Sequence, residues 1–566
     1  MRLKVCAVAV LNGPVILKRI MKRATGFFIL LSFLGLSMQR STPEDDSYIA
    51  AVVEYQVYSD TAVNLQNYVT LIQDAAQQGA DIVVFPEMTL TSGRSVVVPM
   101  NGTLREYPVP AVYPDLYDEI LVTISSAARQ NEIYVVINIE EFLNCIINSD
   151  NEYCPQLNLY LFNTNVVFDR NGTIIDRYRK INLFGEFTRT PALTPDLGVF
   201  ETDFGVTFGH YICFDLMFQV PAVQIVQQRN ITDVVFTTMW FSEMPYLTAV
   251  EIQQAYAQSM NVNFLAAGAN NVRVGSAGSG IYSGSAGSLI SIMPGQPTTR
   301  LLVAKVPKVP GRLQPEDTYP GPIYEDPAVL DNLVLITDPS LPSHVTRLLR
   351  NGTQQFILVN RDVLCYFRVN LLQREGATNY RYRAAAFSGV RSFSGMATGG
   401  NRICAVIACT GESIDTCGRR FDNYTSNTIG VFEELRITAT LPTPQNDDDL
   451  EADRAAYFPV TLNTAIMPLR PEDYSFQRLS IFNIVSIYNF VLTNTNVQLY
   501  SFAIWGREYT TDGQFAAPPS NQHDSAETTT TTTTTAAPTT AQPGSSASHK
   551  ISIILFILST IVYLRL

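Results

Sequence analysis

Three residues in the amino-terminal half of the chain pair a reactive side chain with a position at the end of an apolar or strand-like run. Glu87 closes DIVVFPEM, Lys180 closes RNGTIIDRYRK, and Cys213 stands inside HYICFDLMF. A carboxylate placed after a run of apolar residues and Pro86 is costly to bury unless a partner or a reaction uses it. A thiol with an ordinary pKa of about 8.5 is mostly protonated at neutral pH, so a nucleophilic cysteine needs a base and a positive neighbour. Glu87 has the chemistry of that base. Lys180 has the chemistry to stabilise first the thiolate and then an oxyanion, with a backbone N–H near Phe214 as a second donor. The reaction open to such a set is acyl transfer through a thioester. Each residue also has a plain structural reading: Glu87 as a helix cap or ion-pair partner, Lys180 with Arg177 and Arg179 as a solvated basic edge, and Cys213 as a packed thiol.

Cysteine arithmetic separates Cys213 from the others. Of eight cysteines, Cys6 lies in the amino-terminal segment, and Cys145, Cys154, Cys365, Cys404, Cys409 and Cys417 can pair, which leaves Cys213 over. Cys145 and Cys154 are close enough in sequence to bridge a surface loop. The remaining four allow three connectivities, and the sequence does not choose among them.

The elements that must hold these residues follow from periodicity. Leu65, Tyr68, Val69, Ile72 and Ala76 recur at helical spacing after Ser59 or Asp60 and before Gly79, and DIVVFPEM reads as a short buried strand. Leu116 to Gln130 is predicted to be a helix, EIYVVINIE a strand, and LYLFNTNVVFDRNGTIIDRYRK a hairpin turning at Asn171-Gly172. After Cys213 the pattern predicts a helix over Pro221 to Gln228, the strand DVVFTTMW, a helix over Leu247 to Met260, and the strand FLAAGAN. Strands alternating with helices over residues 48–310 imply an α/β layer architecture. Residues 311–508 change texture, to proline-rich linkers, alternating runs such as QQFILVNRDVLCYFRVNLL and clustered cysteines, and read as a smaller, mostly β, disulfide-rich domain.

Both ends carry export features. Lys18, Arg19, Lys22 and Arg23 precede the apolar GFFILLSFLGLSM, so residues 1–40 read as a signal peptide, with Met21 as an alternative start. Acceptor sequons for glycans stand at Asn101, Asn171, Asn230, Asn351 and Asn423. Residues 509–550 read as a threonine-rich stalk, and the apolar 551–566 as a GPI-signal tail preceded by small residues at 544–547, because a membrane span needs roughly twenty apolar residues. The net charge of −12 and the lack of a dense basic block exclude a protein built to bind nucleic acid. Small molecules, and the membrane through a lipid anchor, are the expected partners.

The order FPE, RYRKINLF and YICFD resembles the Glu-Lys-Cys triad of the nitrilase, or carbon–nitrogen hydrolase, superfamily. The stretches CFDLMFQVPAVQIV and DVVFTTMWFSEMPYLTAVEIQQAYAQSMNVNFLAAGANN resemble its vanin and biotinidase branch, as do RICAVIAC and DTCG further on. The resemblance implies an αββα sandwich, hydrolysis of amide bonds, catalytic Glu87, Lys180 and Cys213, and no metal or organic cofactor. It also implies a second carboxylate at Glu186 that orients Lys180, and a tryptophan at Trp240 near the substrate, where a core aromatic is the alternative. The side chain of Phe214 is expected to pack. Three readings of function follow. One is an extracellular amidohydrolase acting on pantetheine, another the same chemistry on biotinyl amides, and the third a surface protein that keeps the fold for binding alone.

Overall fold

The computed structural model describes residues 40–523, apart from 101, 146–157, 374–378, 423–428 and 482. The expected signal segment and apolar tail lie outside the described residues, as do Asn101, Asn423 and Cys154.

The first domain opens with strand β1 (Ser47–Gln56), whose alternate residues face opposite ways. Ala51, Val53 and Tyr55 meet helices α1 (Thr61–Gln77) and α2 (Glu119–Asn131), while Tyr48, Ala50 and Val52 enter an inner layer. Helix α1 begins where the Asp60 carboxylate accepts from the N–H groups of Ala62 and Val63, at 2.8 and 3.2 Å. It buries Leu65, Tyr68, Ile72 and Ala75, one stripe of a 3.6-residue period. The helix expected from Leu116 starts instead at Glu119, because Asp118 caps it through Ile120 N–H at 2.9 Å and Pro114–Leu116 forms a separate 3-10 turn.

Short β2 (Ile82–Val84) lies parallel between β1 and β3 (Tyr134–Asn144), and β3 continues antiparallel into β4 (Leu159–Phe168) and β5 (Ile174–Arg179). The β4–β5 turn needs glycine at 172: φ is +77°, and a Cβ would come within 2.4 Å of the Ser125 carbonyl oxygen. A second layer runs from β6 (Gly198–Glu201) to β7 (Thr207–Ile212), β8 (Asp233–Thr238), β9 (Asn263–Asn270), β10 (Ser279–Ser283) and β11 (Gly287–Ile292). Strand β12 (Arg300–Pro307) returns antiparallel to β1. Val84, Val136, Val235, Leu265 and Leu302 fill the space between the layers. The predicted helix over 221–228 is divided into a π turn, Gln219–Val223, and α3 (Gln224–Arg229), whereas α4 (Ala249–Met260) is continuous.

This is the αββα sandwich the resemblance implied. Its second helical layer is not solvent-facing, since α4 is covered by the next domain. Gln254 donates to the Leu469 carbonyl at 2.7 Å, Tyr474 donates to Gln258 at 2.5 Å, and the Tyr256 ring lies 6.5 Å from that of Phe458.

The second domain is two five-stranded antiparallel sheets. One orders β13 (Val345–Leu348), β16 (Arg381–Phe393), β17 (Ala397–Cys409), β22 (Leu499–Glu508) and β19 (Ala455–Asn463). The other orders β14 (Gly352–Asn360), β15 (Val363–Leu372), β18 (Val431–Pro442), β21 (Val485–Leu492) and β20 (Tyr474–Ile481). Cys365 is bonded to Cys404, which ties β15 to β17 across the two sheets, and Cys409 is bonded to Cys417. Cys145 is also disulfide-bonded.

The stalk expected from residue 509 does not begin there. Tyr509–Thr511 forms a 3-10 turn, and the following segment packs on the domain, with Ala517 N–H donating to Val390, Ser520 N–H to Pro342 and Thr346 N–H to Gln522. Among the described residues no helix is long and apolar enough to cross a membrane.

Candidate active site

The carboxyl ends of β2, β5, β7 and β8 converge, and each delivers part of one buried cluster. Beyond β2, Phe85 stacks on Tyr68 with ring centroids 3.9 Å apart, which sets the course of the chain into Pro86 and Glu87. Beyond β5, Lys180 N–H donates to Asn163 O at 2.9 Å. Its Nζ reaches Glu87 Oε1 at 2.8 Å and Glu186 Oε2 at 2.5 Å. Lys180 is only 2% exposed and Glu87 only 3%. Burial alone would lower the Lys180 pKa, but the charges of Glu87, Cys213 and Glu186 overcome it and raise the value. The lysine therefore stays an ammonium at any ordinary pH.

Cys213 follows β7 at the start of a 3-10 turn, Cys213–Met217, with φ of +50°. A left-handed conformation is unfavourable for a residue with a Cβ, and such strain at a strand-to-helix turn holds a nucleophile outward. Asp215 fixes the turn by accepting from Tyr178 Oη at 2.7 Å, Asn182 N–H at 2.8 Å and Ile212 N–H at 3.2 Å. Burial raises the Asp215 pKa to about 6, against the pull of Lys180.

Cys213 and Glu87 meet on the two sides of one backbone unit. Met239 N–H donates to Glu87 Oε2 at 2.7 Å, and Cys213 Sγ points to Met239 O at 3.7 Å. Burial pushes the Cys213 thiol far above its usual range and the Glu87 carboxylate adds to this, while Lys180 opposes it. Among the described residues Cys213 is the free cysteine.

The sequence reading did not anticipate Asn163. Its Nδ2 donates to Glu87 Oε1 and Glu186 Oε1, both at 2.7 Å, and its Oδ1 accepts from Asn138 Nδ2 at 2.8 Å. Asn138 also donates to Asn165 at 3.0 Å and accepts from Met88 N–H at 2.8 Å. The signal was present in INIE and FNTNVV, where amides alternate with apolar residues on inward positions of two strands.

Phe214 and Trp240 line the pocket over Cys213, together with Phe184, Met217 and Phe393. Phe214 thus packs and also forms the wall, its ring 5.4 Å from Phe393. Trp240 is held by its Nε1–H, which donates to Leu247 O at 2.9 Å. Of the sequons, Asn171, Asn230 and Asn351 occupy exposed positions.

A carbon–nitrogen hydrolase family description matches residues 49–307, and a vanin carboxyl-terminal domain description matches 334–512. Vanin-like protein 2 of Drosophila melanogaster is 34% identical over 523 residues, covering 87% of this chain and 96% of that protein. The chain belongs to the vanin branch of the carbon–nitrogen hydrolases. Other relatives in this branch are a biotinidase of Takifugu rubripes, 28% identical across 72% of this chain and 88% of its own length, and a pantetheine hydrolase of Homo sapiens, 28% identical across 72% and 84%. Membership makes the protein a hydrolase of carbon–nitrogen bonds other than peptide bonds.

Proposed function

We propose that the protein cleaves a secondary amide of a small molecule through a thioester on Cys213, with pantetheine, split into pantothenate and cysteamine, as the substrate. The observation that carries this reading is the buried carboxylate–ammonium–carboxylate cluster of Glu87, Lys180 and Glu186 converging on the pocket that holds Cys213. Because burial keeps Cys213 a thiol, attack is coupled to proton transfer: Glu87 takes the Sγ proton as sulfur bonds to the amide carbon. Lys180 and the Phe214 N–H face the oxyanion, an arrangement worth roughly 3–4 kcal/mol per donor. Glu87 then returns the proton to the leaving amine, the C–N bond breaks, and water deprotonated by Glu87 hydrolyses the thioester. Glu186 and Asn163 hold Glu87 and Lys180 in place and do not touch the reacting atoms.

Biotinyl amides are the second substrate class, since a biotinidase and a pantetheine hydrolase are equally similar to this chain. Two disulfides and exposed sequons support a place outside the cytosol, with the apolar 551–566 exchanged for a lipid anchor. Release of cysteamine and of biotin, assayed side by side, tests the reading. An iodoacetamide-type probe should label Cys213 in the native protein and abolish both activities. A well-folded Cys213→Ala protein that kept full activity would overturn the mechanism.

A further inference from the structure

We propose that the second domain supplies the selective wall of the pocket, and that Glu243 and Ser394 together receive a hydrogen-bond donor, a hydroxyl or an N–H, on the acyl part of the substrate. The inference rests on the amide-hydrolase reading above and names the substrate feature that the same site selects.

Apart from Cys213, the polar side chains in the pocket lining are Glu243, from the segment after Trp240, and Ser394, from the tip of the β16–β17 hairpin. Glu243 is 5% exposed, and a buried carboxylate needs partners for its charge. Ser394 Oγ donates to Glu243 Oε2 at 2.6 Å, and Arg391, itself buried, lies against Oε1. A carboxylate has about four lone-pair sites, so these two partners leave acceptor capacity on Glu243, which lines the pocket beside Ser394.

The hairpin tip is held as a fixed part of the site. Met396 N–H donates to Phe393 O at 2.9 Å across a turn with φ of +48° at Ser394 and +77° at Gly395. A Cβ added at Gly185, in the loop between Lys180 and Glu186, would stand 3.1 Å from Met396 Sδ, so the hairpin rests directly on the loop that carries Glu186. An acyl group lying on Phe214 and Phe393 thus meets a carboxylate and a hydroxyl supplied jointly by the two domains. The alternative is that Glu243, Arg391 and Asp338 form an ion cluster that only joins the domains.

The experiment separates binding from turnover. Calorimetric titration of the Cys213→Ala protein would compare pantetheine with the analogue whose acyl hydroxyls are replaced by hydrogen, and a biotinyl amide with its ureido N-methylated analogue. In at least one pair the donor-bearing ligand should bind about 10- to 100-fold tighter, the worth of one hydrogen bond to a charged group. Adding Ser394→Ala or Glu243→Gln should collapse that gap, and Ser394→Ala, at a half-buried turn, keeps the test readable where Glu243→Gln fails to fold. A gap of equal size in all these proteins, or no gap in either pair, overturns the inference. Hydrolysis of all the amides by the intact chain without such a gap would leave the amide-hydrolase reading standing. A gap dependent on Ser394 or Glu243 in binding, without hydrolysis by the intact chain, would sink that reading and keep this one.

Discussion

Arg507, near the end of the last strand of the second domain, donates from Nε to the carbonyl oxygen of Met217 at 2.8 Å, and Met217 ends the turn that begins with Cys213. The guanidinium is buried. It also donates to Gly400 O and forms two 2.8 Å bonds to the Asp512 carboxylate. The turn that begins with Cys213 is therefore fixed from within its own domain by Asp215 and from the neighbouring domain by Arg507.

Replacing Arg507 with Met should leave the Met217 carbonyl and Asp512 without this partner. We expect a loss of stability on the order of 3 kcal/mol, the scale for breaking a buried ion pair, together with slower alkylation of Cys213 at temperatures where the protein remains folded. Thermal unfolding and iodoacetamide labelling rates measure the two effects. Unchanged labelling in a destabilised but folded variant would confine Arg507 to a structural role.

Asn163→Asp should place a third carboxylate against Glu87 and Glu186, which now share its amide N–H₂. Like charges at hydrogen-bond distance disfavour full ionisation, so kcat should fall by at least about tenfold and its pH profile should shift. Asn163→Ala should lower kcat without that shift. Identical pH profiles in the two variants would argue against the crowding of charge.

Stability should rise as pH falls from about 7.5 to 5. Burial raises the pKa of Glu54 and Asp338 to about 7 and that of Asp215 and Asp233 to about 6. A carboxyl whose folded pKa is raised stabilises fully below its unfolded value, and this contribution is lost as pH rises through the folded pKa. His344 acts in the opposite sense, because burial lowers it to about 4 and its contribution is lost as pH falls below about 6.5. Four carboxyls oppose one imidazole, so the melting temperature should be higher at pH 5 than at pH 7.5. A lower value at pH 5 would contradict the assignment.

Reduction should loosen the second domain first, since Cys365–Cys404 and Cys409–Cys417 both lie there and a disulfide typically contributes about 2–4 kcal/mol. Because Phe393 and Ser394 line the pocket, hydrolysis should fail together with that domain. Protease digestion under mild reductant, sampled alongside activity, checks this; activity that outlasted cleavage of the second domain would show that the first domain suffices.

The meeting of Glu87, Lys180 and Cys213 was legible through the resemblance carried by FPE, RYRKINLF and YICFD, whereas their places at strand ends left each with a plain structural reading. The first layer of helices was legible from its helical periodicity, apart from the start of α2, where the Asp118 cap overrode a pattern that begins at Leu116. The amides at 138, 163 and 165 were visible in the strands, but the role of Asn163 was hidden because nothing local shows that two carboxylates meet it. Glu243, Arg391, Ser394 and Arg507 were hidden because their roles depend on how two domains dock, and pairs separated by 151 or 290 positions leave no local periodicity.

The segment packed beyond Tyr509 has a mechanical consequence. A pull entering the fold at His523 meets the Gln522–Thr346 and Ser520–Pro342 backbone bonds before it can reach the Asp512–Arg507 clamp. A load applied past residue 523 thus meets these backbone bonds before it reaches the turn that bears Cys213.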